Sequence, residues 1–240
     1  LLDVHYYAMK SKEMTNETDS IRTHIEYIIN CPDNDYTDNA LLLAARMDYD
    51  ESNYAASAEH YERLLNITEI QDVMTEAIEG CMKSYYFDKQ YDKAIEKANR
   101  LIAMQDIDIN KKKQANYITG KSFFDKEDYP EALKYLEICS DIDNNETGAE
   151  CAYLSTICLY NMQQYDDAEE KVFFVSDKFS NYVEWTARSF IVLSDVYVAK
   201  DNIFQAKETL KSVIENYPDD DANYEKIVSM AQEKLEVINN

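Results

Sequence analysis

The strongest constraint on the fold is a sequence motif that returns five times at a nearly constant interval. Its anchor residues are spaced 37, 38, 36 and 38 residues apart, at Tyr54, Tyr91, Tyr129, Tyr165 and Ile203. A fixed period of this length is typical of repeat proteins, in which one unit cannot bury its apolar face alone. The repeat therefore predicts a stack of similar units that runs in one direction.

The residues that follow each anchor have the period of an α-helix. The third residue after the anchor is small, and the seventh is in most repeats a larger apolar residue. Offsets of three and seven place side chains on one helical face. These positions are Ser57, Ala94, Ala132, Ala168 and Ala206, then Tyr61, Ala98, Leu136, Val172 and Leu210. Acidic residues such as Asp92 and Glu131 lie just after the anchors, which indicates helix starts.

A second predicted helix precedes each anchor, so that every repeat is a helical hairpin. Small residues nine and ten positions before the anchor let its two helices approach closely, as at Ala44–Ala45, Thr119–Gly120 and Ser155–Thr156. Three Gly and three Pro in 240 residues are too few for the turns of an all-β protein. We predict an all-α array of thirteen helices without a β-sheet. Its six hairpins span 1–36, 37–73, 74–111, 112–147, 148–184 and 185–218, and a capping helix spans 221–238.

The repeat resembles the tetratricopeptide repeat. The resemblance rests on a small residue at Gly120, an aromatic residue at Phe123, and Tyr129, Ala132 and Leu136. The first-helix Trp of that family is absent, and its closing Pro is matched only by Pro32 and Pro218. The resemblance implies a right-handed superhelical solenoid whose first helices line a concave inner surface.

The C-terminal part of the chain is also similar to the end of large bacterial repeat proteins of the cell envelope. That similarity implies a bacterial protein of the periplasm or envelope, with the cytoplasm as the alternative compartment. The chain opens at Leu1 inside a predicted helix, so we expect it to be a fragment of a longer protein.

The charge of the chain restricts its partners. Forty-seven acidic and 24 basic residues give a net charge of −23, which repels nucleic-acid phosphates and anionic lipid headgroups. No stretch approaches the roughly 18 apolar residues of a membrane span, so direct membrane insertion is not expected. We therefore expect a protein or peptide partner.

Motifs for catalysis, cofactors and metals are missing from the sequence. It has no phosphate-binding glycine loop, zinc-protease motif or nucleophile elbow. The three histidines lack metal-ligand spacing, and we interpret His24 as lying at the edge of the core. The five cysteines have helix-like spacing, which indicates buried free thiols without a disulfide or a bound metal. We predict a protein that is not an enzyme and that needs no cofactor.

One set of first-helix residues forms a candidate binding site. We number slots from the anchor, so that slot −8 lies eight residues before it. Slots −8, −5 and −12 share one helical face, distinct from the face with the small residues. They hold basic residues flanked by rings: Arg46, Lys83 and Lys121 at −8, Tyr49, Tyr86, Phe124 and Tyr160 at −5, and Tyr117 and Tyr153 at −12. In an acidic protein, such a basic row predicts a groove for an acidic segment.

Two functions remain open at this point. The first is a non-catalytic scaffold that binds a partner segment in the groove lined by these nine residues. The alternative is a structural spacer or assembly module within a longer repeat protein. In that case the rings pack between repeats, and the basic side chains neutralise acids such as Glu76 and Glu79.

Overall fold

The fold was determined as a computed structural model that describes residues 1–15, 18–142 and 144–239. These residues form thirteen α-helices and no β-strand, which confirms the predicted fold class for the described part of the chain. The helices are α1 Leu2–Thr15, α2 Thr18–Ile29, α3 Thr37–Asp50, α4 Tyr54–Ile67, α5 Gln71–Phe87, α6 Tyr91–Ala103, α7 Ile109–Asp125, α8 Tyr129–Ile142, α9 Glu146–Asn161, α10 Tyr165–Lys178, α11 Val183–Ala199, α12 Ile203–Asn216 and α13 Tyr224–Asn239.

The five anchor residues are the first residues of their helices. The first helices α5, α7, α9 and α11 begin two or three residues before the predicted hairpin bounds. The final helix begins at Tyr224 rather than at residue 221, because Asp221 forms a turn before it. Its carboxylate accepts hydrogen bonds from the Asn223 backbone N–H at 2.8 Å and the Tyr217 hydroxyl at 2.7 Å.

The chain divides into two compact units, Leu1–Ile118 and Thr119–Asn240, and the boundary falls inside α7. In the first unit each helix from α1 to α5 packs against the next, and α3 also contacts α5. In the second unit α8 to α13 pack in the same sequential way, and α11 also contacts α9 and α13. Within each unit, first helices of neighbouring hairpins therefore touch, as stacked repeats require.

The predicted core face of the second helices is buried. At the third position after the anchor, four of the five small residues are Ala, and all four are fully buried. At the seventh position, the apolar residues Ala98, Leu136, Val172 and Leu210 are fully buried as well. The exceptional Ser57 is also fully buried, but its hydroxyl donates to the Ala45 carbonyl at 2.8 Å and lies 2.9 Å from the Ser84 hydroxyl. Because these polar atoms are satisfied, burial costs little there.

A glycine in α5 makes room for the largest side chain on this face. Tyr61 on α4 is 5% exposed, and its ring lies against Gly80. A Cβ atom at Gly80 would come closer than 3.0 Å to three carbons of this ring. In a helix, glycine is less stable than alanine by about 1 kcal/mol. Glycine is nevertheless required at position 80, because the Tyr61 ring occupies the space that a side chain would need.

Five hairpin turns share a residue with positive φ, two positions before the anchor. The φ angles range from 58° to 63° at Ser52, Lys89, Glu127, Gln163 and Asp201. In the turn after α5, the Gln90 N–H donates to the Tyr85 carbonyl at 2.8 Å and the Lys89 N–H donates to the Tyr86 carbonyl at 3.0 Å. This hydrogen-bond pattern ends a helix and usually uses glycine, but none of the five residues is glycine.

Four of the five cysteines are buried, Cys31 is half-buried, and all five are free thiols. Burial raises the pKa of the Cys158 thiol to about 12. A hydrogen bond with Cys139, together with burial, raises the pKa of the Cys151 thiol as well. The thiolate is the reactive form of cysteine. These two thiols are therefore protonated and unreactive at neutral pH.

We expect Lys89→Gly to stabilise the protein. A non-glycine residue with positive φ destabilises the folded state by about 1–2 kcal/mol. Glycine removes this strain, but its greater backbone freedom in the unfolded chain offsets part of the gain. The net gain in the free energy of unfolding should be about 0.5–1 kcal/mol, measured by urea denaturation. The matched control is Asp88→Gly, at the neighbouring residue with a φ of −79°, which should destabilise the protein. Equal effects of both changes would contradict this account of the turns.

We expect Gly80→Ala to destabilise the protein by about 1–3 kcal/mol, because the new methyl group overpacks the Tyr61 ring. In a background that carries Tyr61→Leu, the same change should cost much less, since the smaller side chain leaves room. Urea denaturation of the parent, the two single variants and the double variant gives the coupling energy. Additive effects would show that the two positions do not constrain each other.

Candidate functional site

Two of the three predicted basic residues form ion pairs with the first helix of the following hairpin. In the first unit, Arg46 Nε on α3 donates to Glu76 on α5 at 2.7 Å. In the second unit, Lys121 Nζ on α7 lies 2.8 Å from Glu150 Oε1 on α9. Glu76 and Glu150 both occupy slot −15 of their repeats. A basic side chain at slot −8 therefore meets a carboxylate at slot −15 of the next repeat.

Lys83 has a different partner, because slot −15 of the following repeat holds the neutral Gln114. Its ammonium lies 2.6 Å from Glu79 on the same helix, and Lys111 at the start of α7 binds the second oxygen of Glu79. Burial disfavours the charged form of Glu79, but Lys111 and Lys83 outweigh that effect and hold the pKa of its carboxyl below the usual value. Two ammonium groups thus share one carboxylate.

The rings at slot −5 all pack against the ring of their own anchor. The centroid distances are 5.4 Å for Tyr49–Tyr54, 5.9 Å for Tyr86–Tyr91, 6.0 Å for Phe124–Tyr129 and 5.9 Å for Tyr160–Tyr165. All four rings at slot −5 are half-buried. Burial raises the pKa of the Tyr49 and Tyr160 hydroxyls. These rings thus close the hairpin turn with one side and keep some surface accessible on the other.

The two tyrosines at slot −12 are also half-buried. Tyr153 lies 5.6 Å from the ring of Trp185 on α11, and burial raises its pKa although Arg188 opposes the shift. The Arg188 guanidinium lies 5.8 Å from the Trp185 ring centre and 2.8 Å from Glu184. The sequence analysis did not select Trp185 or Arg188. The only signal for them was that Arg188 occupies slot −15, where other repeats have charged partners.

In the first unit, two of the predicted residues line a groove of about 550 Å³. These are Tyr49 and Lys83, and they are joined by the acidic triad Asp72, Glu76 and Glu79 and by Lys111. The Tyr61 ring and Gly80 also contribute to its wall, so the ring–glycine contact that packs α4 against α5 shapes this groove too. Sequence reasoning missed Lys111, which enters only because the triple-lysine start of α7 reaches Glu79.

A second groove, of about 470 Å³, lies between α11 and α12 in the second unit. None of the nine predicted residues lines it. Its wall is apolar at Val183, Phe190, Val213 and Tyr217, with polar side chains such as Glu208 among its other lining residues. The prediction of a single channel through Arg46, Lys83 and Lys121 joins residues of both units, and it stays a prediction.

The histidines are engaged in local contacts. Nδ1 of His5 lies 3.1 Å from Nδ1 of the half-buried His24, and the His5 ring stacks on Tyr27 at 3.8 Å. His60 Nδ1 lies 2.8 Å from the buried Asp48 carboxylate. Within the described ranges, no three His, Cys, Asp or Glu side chains come together in a way that could hold a metal ion. In the same ranges, the helices all fall short of the length and apolarity that a membrane crossing requires.

We expect Glu79→Gln to destabilise the protein at pH 7 by about 1 kcal/mol, because Lys83 and Lys111 lose their shared carboxylate. The folded-state pKa of Glu79 is depressed, so its contribution is present above the unfolded value of 4.5 and is lost as the pH falls through the folded value. The difference from the parent should therefore shrink below pH 4.5, as measured by urea midpoints. The control Asp72→Asn changes an exposed carboxylate of the same groove and should have little effect at any pH. A cost of Glu79→Gln that is independent of pH would contradict the charge assignment.

Sequence comparison agrees with the repeat architecture. A sequence model described as tetratricopeptide repeat matches residues 193–220. Another, described as anaphase-promoting complex, cyclosome, subunit 3, matches residues 87–175. A search of curated proteins found no match.

Solved structures share the fold over most of the chain. The C-terminal part of a tetratricopeptide-repeat protein from Cytophaga hutchinsonii is 16% identical, with a TM-score of 0.67 over 100% of this chain and 89% of that chain. The protein MamA is 16% identical, with a TM-score of 0.61 over 75% of this chain and 91% of that one. YrrB, a tetratricopeptide-repeat protein with an unusual peptide-binding site, is 18% identical, with a TM-score of 0.58 over 81% and 91%.

At these identities the solved structures show the fold alone, a helical repeat solenoid, while the repeat model matches the sequence itself. The similarity to large bacterial envelope proteins stays a prediction. Periodic anchors, stacked hairpins and the matched repeat lead to one conclusion: residues 193–220 match the tetratricopeptide repeat in sequence, and the chain has the fold of tetratricopeptide-repeat proteins.

Proposed function

We propose that this chain is a non-catalytic scaffold that binds a segment of a partner protein along the first-helix face of its repeats. The tetratricopeptide-repeat fold itself supports a protein-interaction scaffold. The observation that carries the finer proposal is the groove of the first unit, which contains Tyr49 and Lys83 from the predicted site. Its volume of about 550 Å³ lies within the range of roughly 300–1,000 Å³ that is usual for ligand pockets.

Two lysines of this groove could bind an acidic group on the partner. Lys83 and Lys111 share the carboxylate of Glu79, so these three side chains carry one net positive charge. Of the other two acids that line the groove, Glu76 is paired with Arg46, and Asp72 lies exposed at the wall. Each ammonium has three N–H donors, and one short contact to Glu79 leaves donors for a second acceptor. A carboxylate of the partner that binds both lysines would share them with Glu79. Arg46, whose side chain is 47% exposed, extends the basic surface beyond the groove.

The rings supply the contact area of the proposed interface. Tyr49 and Tyr86 in the first unit and Phe124, Tyr153 and Tyr160 in the second are half-buried, so each is held in place and still presents surface. A rigid aromatic side chain loses little conformational entropy on binding, which is why aromatic residues are common at the centres of interfaces. The peptide-binding site of YrrB, a protein of the same fold, is consistent with this use of the repeats.

A structural spacer is the second candidate, and the ion pairs favour it. Arg46 with Glu76 and Lys121 with Glu150 link the first helices of neighbouring hairpins. In a spacer, these pairs would serve to hold hairpins together, and no partner would compete for them. The two candidates differ in what happens when the basic residues become neutral.

We expect the triple variant Arg46→Gln, Lys83→Gln and Lys121→Gln to lose its partner, because the side chains that attract an acidic segment become neutral. Partners are captured from extract of the native source with the immobilised chain and identified by mass spectrometry. The dissociation constant of the recombinant partner is then measured. It should rise at least tenfold for the variant, with most of the change in the association rate at low salt. Helicity should stay unchanged, since the Arg46 pair is exposed, the two lysine pairs are partly exposed, and surface ion pairs contribute only about 0–1 kcal/mol each.

The matched control is the triple variant Lys10→Gln, Lys134→Gln and Lys211→Gln. It removes the same three charges and three ion pairs with Glu residues three positions away. The control should bind the partner as the parent does. If the groove variant binds as well as the control, the scaffold proposal is wrong at this site, and the spacer function takes its place.

A further inference from the structure

One side chain of the first unit departs from the pattern of its slot. Slot −4 is polar or small in four of the five repeats, with Asp50, Asp125, Asn161 and Ala199. In the repeat anchored by Tyr91 it holds Phe87, whose side chain is 47% exposed. The other four repeats close the same turn without an aromatic residue there. Phe87 is therefore not needed to form the hairpin.

Phe87 joins the rings of two repeats into one continuous row. It stacks on Tyr54 at 5.0 Å and contacts Tyr49 edge-on at 6.0 Å, both from the preceding repeat. It also contacts Tyr86 at 5.3 Å, and Tyr86 contacts Tyr91 at 5.9 Å. We call this five-ring surface, made of Tyr49, Tyr54, Phe87, Tyr86 and Tyr91, the ring row.

The ring row lies at the surface and is fixed in place. Phe87 is exposed and the four tyrosines are half-buried, so the row presents ring faces and edges to solvent. Each tyrosine is held by its slot −5 or anchor contact, and ring contacts of this kind orient the faces. Contiguous aromatic side chains with accessible faces are common at binding sites, so this row is a candidate for one.

The charges beside the ring row select the chemistry of its ligand. Asp50, Glu51, Asp88 and Asp92 adjoin the row along the chain, against Lys89 and Lys93, and Glu51 is paired with Arg22. The Asp50 carboxylate is close enough to contribute to the raised pKa of Tyr49. Aromatic faces attract cations through their quadrupole, and surrounding carboxylates strengthen that attraction. We infer that the ring row binds arginine or lysine side chains of a partner segment.

This inference deepens the proposed function and rests on it, since it names a second feature of the same partner. The groove with Lys83 and Lys111 attracts a carboxylate, and the ring row attracts a cation. The two surfaces meet at Tyr49, which belongs to both. The partner segment would therefore carry an acidic side chain and, a few residues away, a basic one. Opposite charges at both places would fix the direction in which the segment lies.

The test uses fluorescein-labelled (Gly-Arg)6 and the full chain, with affinity measured by fluorescence anisotropy. Phe87→Asp installs the residue that other repeats have at this slot, so the hairpin should still fold, as circular dichroism would verify. We expect the affinity for the peptide to fall about threefold to thirtyfold, the range that one desolvated cation–π contact gives. Phe87→Tyr keeps the ring face and should bind within about twofold of the parent, since tyrosine makes similar cation–π contacts.

The control variant is Phe204→Asp, at a ring on α12 that is 73% exposed. Both aspartate variants add one negative charge to a chain of net charge −23. If (Gly-Arg)6 bound only through net charge, both changes would leave its affinity equal or higher. The inference requires weaker binding for Phe87→Asp alone. Equal affinities of the two aspartate variants, or no binding of the peptide to the parent, would overturn it.

The proposed function and the ring-row inference can fail independently of each other. One outcome is that the glutamine variant of Arg46, Lys83 and Lys121 loses the natural partner while Phe87→Asp binds (Gly-Arg)6 as the parent does. This result would support the scaffold proposal and contradict cation binding by the ring row. If the glutamine variant retains the partner and Phe87→Asp weakens (Gly-Arg)6 binding, the ring row binds cations and the groove is not the site.

Discussion

The fit between the second helix of one hairpin and the first helix of the next holds the described stacks together. A single hairpin has two apolar faces and can bury only one of them by itself. The fully buried alanines that follow the anchors bring the helices close, and larger side chains fill the space between hairpins. In the first unit, the Tyr61 ring occupies the space that the missing side chain of Gly80 leaves. Because interiors are densely packed, such a contact leaves little freedom to the helices that carry it.

The surface of the first helices follows from the same stacking. Repeats of similar sequence place equivalent slots side by side, so a charge in one repeat meets a fixed slot of the next. Where opposite charges occupy these slots, as for Arg46 and Glu76, they pair. Where the opposite charge is missing, as for Lys83, the side chain joins another acid and shares it with Lys111. The proposed binding site therefore lies at a position where a repeat departs from its neighbours.

The sequence was sufficient to predict the helices, because anchors, small residues and apolar residues recur with one period. Their placement on one face follows from local helical geometry, whichever helix then packs against that face. The candidate site was predicted less completely. Arg46, Lys83 and Lys121 could be placed on one face, but their carboxylate partners depend on the register between hairpins. Lys111 and Trp185 enter their clusters through contacts between helices, and no periodicity within a single helix marks them.

The turns show where local sequence rules and the structure differ. Helix ends of this type favour glycine, yet all five positions carry side chains. The hydrogen bonds of the turn and the ring contact between slot −5 and the anchor hold the backbone in this conformation. A sequence search for glycine would have missed these turns, whereas the aromatic pair five residues apart identifies four of them.

The contact between Tyr61 and Gly80 also means that these repeats are not interchangeable modules. The residues in the same slot as Gly80 are Leu43, Ile118, Leu154 and Val192, all large or branched. None of them could face Tyr61 without a clash, so the repeat that carries Tyr61 accepts only one successor from this chain. An array in which another repeat followed the one with Tyr61 would be destabilised at that junction, although its consensus would be unchanged. One ring and one missing side chain thus give these two repeats a fixed order in the chain.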